Sequence, residues 1–454
     1  MSDLECKLLI IGAGPGGYVC AIRAGQLGLD TIIVDPQAPG GTCLNVGCIP
    51  SKALIHAADE FHKMAYASRG PLGISNDNPS IDLAKTVVWK DGIVKRLNDG
   101  VSGLIKKAKT KLVVGEARFI DGKNVSVRTP DGERNIRAQN IVIATGSAPV
   151  ELPFLPFGGD ILSSTEALSL GSVPDSLAVV GGGYIGLEIG TAFAKLGSKV
   201  TIIEATEAIL PQYDQALTKP ISNRLAELGV QVMLETKAEG FQNGVLTTDQ
   251  GEVVAEKVLV TVGRRPRTSE VGVKDLMLTM DDDFIRVNDC CQTSMKGIYA
   301  IGDVTGEPML AHRAMAQGEM VAEHVAGHKV AWDKRCIPAV CFTDPEIVIC
   351  GLLPSEVKPN TALVSEFPFA ANGRAMTTER EDGFVRIVAR KEDHAVIGIQ
   401  AVGVGVSELS AAFSLAIEMG ATLEDIAATV HAHPTQSEGF QEAALRALGK
   451  ALHI

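Results

Sequence analysis

The sequence predicts an α/β fold: two Rossmann-like dinucleotide-binding domains, then an α+β domain in the last quarter of the chain. Three observations carry that prediction. A strand–glycine turn–helix–strand pattern occurs twice, beginning near Leu8 and near Leu177, in matching register. At 454 residues the chain exceeds what one core supports, so two to four domains are expected. From about Pro338 the pattern changes to strands at Gly383–Ala389 and Ala395–Val402, followed by helical stretches at Ser407–Met419, Leu423–Thr429 and Glu438–Leu452.

The first copy runs from Leu8 through Gly12, Gly14 and Gly17 to Thr31–Asp35. The second runs from Leu177 through Gly181, Gly183 and Gly186 to Val200–Glu204. In each, an acid follows the first glycine by 23 residues, Gly12 to Asp35 and Gly181 to Glu204. The first glycine permits the tight turn, the second lets a pyrophosphate approach the backbone, and the third lets helix pack on strand. Pyrophosphate then sits at the helix N-terminus, and the closing carboxylate accepts hydrogen bonds from ribose hydroxyls. One such motif is weak evidence. Two in register predict two bound dinucleotides. Glu204 repels a 2′-phosphate, which favours NAD over NADP in the second copy. Arg264, Arg265 and Arg267 lie far along the chain from that strand end and are read as loop or surface residues.

The intervening segments fit around the two copies. Lys111 to Arg137 alternates apolar and polar residues, with turns at Asp121-Gly122 and Asp131-Gly132, and predicts hairpins. Asn140–Gly146 reads as an apolar strand closing on a glycine turn. Lys296–Asp303 repeats that design with an acid at its end, and Ala370–Thr378 reads as a polar loop. The domains are placed at 1–147, 148–270, 271–337 and 338–454.

Composition narrows the partners. A formal charge of −12 disfavours nucleic acid and anionic membranes. No apolar run approaches transmembrane length. The chain passes from Met1 to an apolar strand within a few residues, so no signal or transit peptide is expected and the cytoplasm is the expected compartment. Aromatics are only 4% while glycines number 47, which suits close backbone approach to ligands.

Cysteine usage points to redox chemistry. Gly41-Thr42-Cys43-Leu44-Asn45-Val46-Gly47-Cys48-Ile49-Pro50-Ser51-Lys52 holds two thiols close enough to close a small disulfide ring. A helix is expected to begin at or near Cys48, where unpaired N–H groups and the helix dipole lower a thiol pKa. The competing readings are a structural disulfide or two unrelated core cysteines. Zinc lacks further ligands at suitable spacing, and no metal is expected. Cys6, Cys20, Cys336, Cys341 and Cys350 stand in apolar contexts as small buried hydrophobes. Adjacent Cys290 and Cys291 would need a strained ring to pair.

Near the end of the chain, His433 is the candidate general base, with His431 competing for that role. Glu438, five residues after His433, is close enough across a turn to orient its imidazole.

Taken together, the cysteine segment, Gly12–Gly17, Ala144-Thr145-Gly146, Gly181–Glu188, Ala300–Asp303, Met309–His312, Phe342–Glu346 and His431–Glu438 resemble the flavoprotein pyridine nucleotide-disulfide reductases over essentially the whole chain. Within that family they resemble most the dihydrolipoamide dehydrogenases, the E3 components of 2-oxoacid dehydrogenase complexes. The resemblance implies FAD in the first copy and NAD in the second. For FAD it implies Gly12, Gly14, Gly17, Asp35, Lys52, Ala117, Gly146, Asp303 and Ala311. For NAD it implies Gly181, Gly183, Gly186, Glu188, Glu204 and Gly263, with Lys52 as partner of Glu188 beside the flavin. Cys43 would meet the substrate, Cys48 would lie nearer the flavin, and the histidine motif selects His433 and Glu438 over His431. Its partners would be a second copy of the chain, forming a homodimer with a dimerisation domain at its C-terminal end, and the lipoyl and subunit-binding domains of an acyltransferase. Asp35 stands where many relatives have Glu, and Arg267 where Asn is common, neither at an expected reacting group.

Overall fold

In the computed structural model, which describes residues 4–454, the described chain forms two compact units: 4–173 with 261–333, and 174–260 with 334–454.

The first unit is built on a seven-stranded sheet. Its strand Leu4–Ile11 lies between Thr31–Asp35 and Gly132–Ile143, parallel to both. Lys111–Val114 extends the sheet beside Thr31–Asp35, and Ile298–Ala300 pairs parallel with the end of Gly132–Ile143. Strands buried on both sides need continuous apolar runs. Leu8, Leu9, Ile10, Ile141, Val142 and Ile143 accordingly have no exposed surface. The long strand serves two partners. Its first half makes the antiparallel hairpin with Asn124–Thr129, which pairs in turn with Glu116–Phe119. The hairpins expected between Lys111 and Arg137 are present, except that Lys111–Val114 joins the parallel core. A 25-residue helix, Leu83–Lys107, starts at Asp82, whose carboxylate accepts the Lys85 N–H at 3.2 Å.

The helices Pro15–Gln26 and Ala311–Val325 cross at a glycine contact. A methyl on Gly318 would stand 2.3 Å from the Gly16 carbonyl oxygen, so backbone meets backbone there. Pro at the first turn and Arg23 in the last turn suit the first helix.

In the second unit, Gln231–Met233, Lys199–Ile203, Ser176–Val180 and Lys257–Val260 form a parallel sheet in that order. An antiparallel three-stranded meander, Ala238–Val254, is attached through the same segment of chain. A second sheet is wholly antiparallel, ordered Ala339–Cys341, Glu346–Gly351, Val396–Gly403, Phe384–Arg390 and Ala362–Pro368. The helices Ser410–Glu418, Leu423–Ala428 and Glu438–Ala447 supply Phe413, Ile417, Leu423, Ile426, Phe440 and Ala443 to its core. Phe413 and Phe440 meet edge to face at 5.0 Å, a geometry worth about 0.5–1.5 kcal/mol beyond burial.

Three expectations need correction here. Ala370–Thr378 is not a polar loop: a 3-10 turn, Phe369–Ala371, leads to a helix, Gly373–Thr377. Buried Asn372 caps that helix by accepting the Ala375 N–H at 3.0 Å, so its polar side chain starts structure instead of breaking it. The last helix stops at Ala447, short of Leu452, because Gly449 turns left-handed (φ 71°) and the Lys450 N–H closes on the Leu445 carbonyl. The stretch from Ser407 begins as a 3-10 turn, Val406–Leu409, before the α-helix starts at Ser410.

Candidate active site

Cys43 and Cys48 are joined as a disulfide, with Cα atoms 4.6 Å apart. Cys43 sits in the short helix Gly41–Val46, and Cys48 is the first residue of the helix Cys48–Tyr66. No side chain caps that second helix, and the Ser51 N–H donates to the Gly47 carbonyl at 2.9 Å, so Cys48 stands at a helix start without a capping side chain. Cys43 is half-buried and Cys48 exposed. Lys52 follows one turn after Cys48 and is half-buried.

The disulfide segment is pinned to the first glycine turn. The Gly40 N–H donates to the Ala13 carbonyl at 2.7 Å. Gly41, at φ 59°, brings its backbone so close that an added Cβ would stand 2.5 Å from the Gly14 Cα. Only a residue without Cβ permits both the conformation and the contact. The redox pair and the phosphate turn are thereby one rigid construction.

The two glycine turns share more than their sequence. In the first, Asp35 accepts the Ala13 N–H at 2.6 Å and the Gln37 N–H at 2.8 Å. In the second, Glu204 accepts the Gly182 N–H at 2.7 Å and the Thr206 N–H at 2.8 Å. Each acid therefore ties the residue after the first glycine to the residue two places past itself. Burial raises the Asp35 pKa, and the Ala13 and Gln37 N–H groups work against that rise. Gly12 (φ 104°) passes so near the next strand that a Cβ would fall 2.2 Å from the Ala144 carbonyl oxygen, and one on Gly17 would fall 1.9 Å from that of Gly12. Gly14 and Gly183 precede helices of 12 and 13 residues with no capping side chain, which leaves N–H groups for phosphate. Gly181 turns at φ 111°, and Gly186 is buried in the helix behind it. Each acid oxygen also keeps lone-pair capacity for a ribose hydroxyl. These cradles fit two dinucleotides.

Elsewhere in the first unit, Asp303 accepts the Ser147 hydroxyl at 2.5 Å, and Ser147 accepts from Arg264 Nε at 2.8 Å. The Gly146 carbonyl receives the Arg267 N–H at 2.8 Å. Arg264 is thus an internal brace for the Asp303 turn, where a loop or surface residue was expected. Ala311 opens a 15-residue helix with no capping side chain. Ala117 is buried on the strand Glu116–Phe119, and Gly263, at φ 133°, accepts the Val150 N–H through its carbonyl.

In the second unit, Glu188 is only 4% exposed and accepts the Phe342 N–H at 2.8 Å, a partner with no signal in the sequence. His433 Nδ1 lies 2.8 Å from Glu438 Oε1, while the other Glu438 oxygen accepts the Thr435 N–H at 2.8 Å. Burial disfavours the Glu438 charge, but the Thr435 N–H and His433 outweigh it and hold its pKa below the ordinary carboxylate range. The His433 side chain is 80% exposed. His431 instead pairs with the Thr429 carbonyl at 2.9 Å and sets its ring against Phe440.

Among the described residues Cys290 and Cys291 are free thiols; Cys290 donates to the Val330 carbonyl and Cys291 is buried. Cys336 is half-buried, not the core residue its surroundings suggested.

Comparison with known proteins decides the family. Residues 6–318 match the model of the pyridine nucleotide-disulphide oxidoreductases, and residues 337–444 match that family's dimerisation domain. The chain belongs to this family. It is 57% identical to a dihydrolipoyl dehydrogenase of Pseudomonas aeruginosa, with 99% of each chain covered. It is 46% identical to one of Geobacillus stearothermophilus, covering 99% of this chain and 98% of that one. The crystal structure of LpdA from Mycobacterium tuberculosis superposes with a TM-score of 0.89 at 27% identity, over 97% of this chain and 99% of that one. A disulphide oxidoreductase needs the closely spaced cysteine pair that the fold pins to its first glycine turn. Among the described residues no helix is long and apolar enough to cross a membrane.

Proposed function

We propose that this oxidoreductase is a dihydrolipoyl dehydrogenase, oxidising protein-bound dihydrolipoyl groups and reducing NAD+ with FAD as its bound cofactor. The observation that carries this reading is the Cys43–Cys48 disulfide at a helix N-terminus, held against a dinucleotide turn. Full-length similarity to dihydrolipoyl dehydrogenases supports the substrate.

Bound FAD supplies the relay that takes an electron pair from the enzyme dithiol and passes it as hydride to NAD+. The FAD cradle is assigned to Gly12, Gly14, Gly17, Asp35, Lys52, Ala117, Gly146, Asp303 and Ala311. The NAD cradle is assigned to Gly181, Gly183, Gly186, Glu188, Glu204 and Gly263. His433 engages Glu438 through Nδ1, so Nε2 carries the lone pair that accepts a proton from the substrate dithiol. The substrate thiolate attacks Cys43, the Cys43–Cys48 bond breaks, and Cys48 leaves as a thiolate at the start of its helix. The second substrate sulfur then attacks the first, and its proton passes to the departing Cys43 sulfur. Oxidised lipoyl leaves Cys43 as a thiol, Cys48 as a thiolate and the first proton on His433, whose imidazolium Glu438 stabilises.

The chain forms a homodimer through its dimerisation domain, and His433 and Glu438 of each protomer complete the site of its partner. The exposure of His433 supports this assignment, since a base buried in its own protomer could not reach across. The lipoyl and subunit-binding domains of a 2-oxoacid dehydrogenase acyltransferase are the proposed macromolecular partners, and the cytoplasm the proposed compartment. Steady-state assays with dihydrolipoamide and NAD+, set against glutathione disulfide and NADPH, test the function. Turnover confined to the second pair would overturn it.

A further inference from the structure

His433 is aimed by hydrogen bonds, because at 80% exposure its ring has little packing around it to choose an orientation. Those bonds lead back to a residue far away in sequence. Asn372 is only 3% exposed, and both ends of its amide are used. Its Oδ1 accepts the Ala375 N–H at 3.0 Å, and its Nδ2 donates to the Thr435 carbonyl at 3.0 Å, across 63 positions of sequence. The two partners fix the orientation of the amide. Turned over, it would set its NH2 against an N–H and its oxygen against a carbonyl.

Asn372 is itself held firmly. Its N–H donates to the Phe369 carbonyl at 2.9 Å, and the Phe369 N–H donates to the Gly383 carbonyl at 2.9 Å. The Phe369 ring is fully buried in the core of the antiparallel sheet. Gly439, the residue after Glu438, packs on that same ring, and a Cβ there would stand 3.4 Å from it.

Thr435 carries this fixity to the dyad. Its carbonyl takes the Asn372 amide, and its N–H donates to Glu438 Oε2 at 2.8 Å. The other Glu438 oxygen meets His433 Nδ1 at 2.8 Å. The Thr435 hydroxyl bonds only locally: it donates to the Ala432 carbonyl at 2.7 Å and lies 2.7 Å from Ser437 Oγ. Such bonds shape the turn, while the Asn372 amide ties it to the sheet. On the reading of His433 as the proton acceptor, on which this inference rests, the geometry points to Asn372 as a positioning residue: it holds Thr435 so that the Thr435 N–H fixes Glu438, and Glu438 fixes His433.

A role as helix cap alone would not call for an amide. Capping needs an oxygen, which serine supplies as well as asparagine does. The NH2 of Asn372 serves Thr435.

The test compares Asn372→Ser with wild type as FAD-loaded dimers. Serine keeps a capping oxygen but is too short to reach Thr435. Oxidation of dihydrolipoamide by NAD+ should fall roughly 10–100-fold in kcat, the cost of misplacing a reacting group by about an ångström. KM for NAD+ should not move. NADH oxidation by ferricyanide, which draws electrons from the flavin without His433, should keep its wild-type rate and so report an intact fold. In a Glu438→Ala background the same substitution should cost less than about twofold, since Asn372 acts through Glu438. Three results would overturn the proposal: a kcat within about twofold of wild type, an equal fall in ferricyanide activity, or the full loss repeated on top of Glu438→Ala. Should Asn372→Ser not fold, Asn372→Asp is read by the same criteria, because it keeps shape and cap but sets an oxygen against the Thr435 carbonyl. Wild-type turnover of dihydrolipoamide reads the proposed function by itself, so its failure and that of the Asn372 assignment are told apart.

Discussion

Replacing Gly41 with alanine asks whether the redox pair and the dinucleotide turn are one construction. Two costs follow from the geometry. A residue with a Cβ at φ 59° adopts the left-handed region, at roughly 1–2 kcal/mol. The new methyl would lie 2.5 Å from the Gly14 Cα. Carbon atoms make contact at about 3.5–4.0 Å, so the two backbones must part by more than an ångström. Backbone cannot swing aside as a side chain can, and overpacking of this kind costs about 1–3 kcal/mol. The sum is about 2–5 kcal/mol, on the order of 5–15 °C in the melting of a unit of this size. The displaced atoms include the turn that cradles the first dinucleotide, so FAD should be lost at lower temperature than the sheet melts. The assay is flavin absorbance per protein after gel filtration, followed by flavin fluorescence on heating. Gly100→Ala is the internal control. Gly100 stands in the helix Leu83–Lys107, and a methyl added there would meet no atom within 4 Å, so alanine should stabilise by about 0.5–1 kcal/mol. If Gly41→Ala keeps its full flavin and melts with wild type, the close approach does not couple the two parts and the reasoning fails.

Other perturbations address the dyad, the assembly and the electrostatics of the second unit. Glu438→Gln should lower kcat by roughly tenfold or more, since the imidazolium loses its carboxylate, while leaving KM for NAD+ unchanged. In wild type the depressed Glu438 pKa means that its stabilising contribution is complete above the ordinary carboxylate range. It is lost only as pH falls through the lower folded value, which urea titrations at stepped acid pH should show. Mixing inactive Cys43→Ser and His433→Gln dimers, with subunit exchange confirmed by mass, should restore activity in heterodimers; none returning would refute a shared site. Asp344→Asn should cost about 3–5 kcal/mol, because Lys195 (2.7 Å), Arg224 (3.0 Å) and Arg380 (2.6 Å) all converge on that buried carboxylate. The three cations hold its pKa far below normal against burial. The gap between wild type and variant in chemical denaturation should therefore be full above about pH 4 and close as the solution is made more acid.

Much of the site was legible because its residues are consecutive or recur at a fixed interval. Cys43 and Cys48, the glycines of both turns, and His433 with Glu438 each announce themselves within a few positions. What stayed hidden depends on contacts between distant segments. Phe342 donates to Glu188, and Arg264 braces Asp303 through Ser147, across separations that no local pattern encodes. The error at Ala370–Thr378 has a different origin. Asn372 reads as a loop residue by composition, yet its side chain substitutes for a missing backbone acceptor and starts a helix. At the other end of the unit the apolar pattern runs on past Ala447, but the left-handed Gly449 overrides it and ends the last helix.

The two acids raise a final question, which one substitution answers. From sequence, Glu204 is a ligand contact that selects NAD by repelling a 2′-phosphate. In the fold, the carboxylate also ties the glycine turn to Thr206 through three hydrogen bonds, including one from the Thr206 hydroxyl at 2.8 Å. Asp35 ties the first turn in the same pattern, where 2′-phosphate selection is not at issue. The shared geometry therefore points to turn order as a role common to both acids, with coenzyme selection added in the second. Glu204→Gln separates the two roles. Its amide oxygen still accepts one N–H, but its NH2 faces the Thr206 N–H as donor to donor. Losing hydrogen bonds to a charged group costs about 1.5–3 kcal/mol, so kcat/KM for NAD+ should fall by about 10–100-fold. The same change removes the repulsion, so NADP+ should lose less and the preference should narrow. A rise for NADP+ with NAD+ unchanged would mean that Glu204 acts on coenzyme charge alone and that the turn keeps its shape without it.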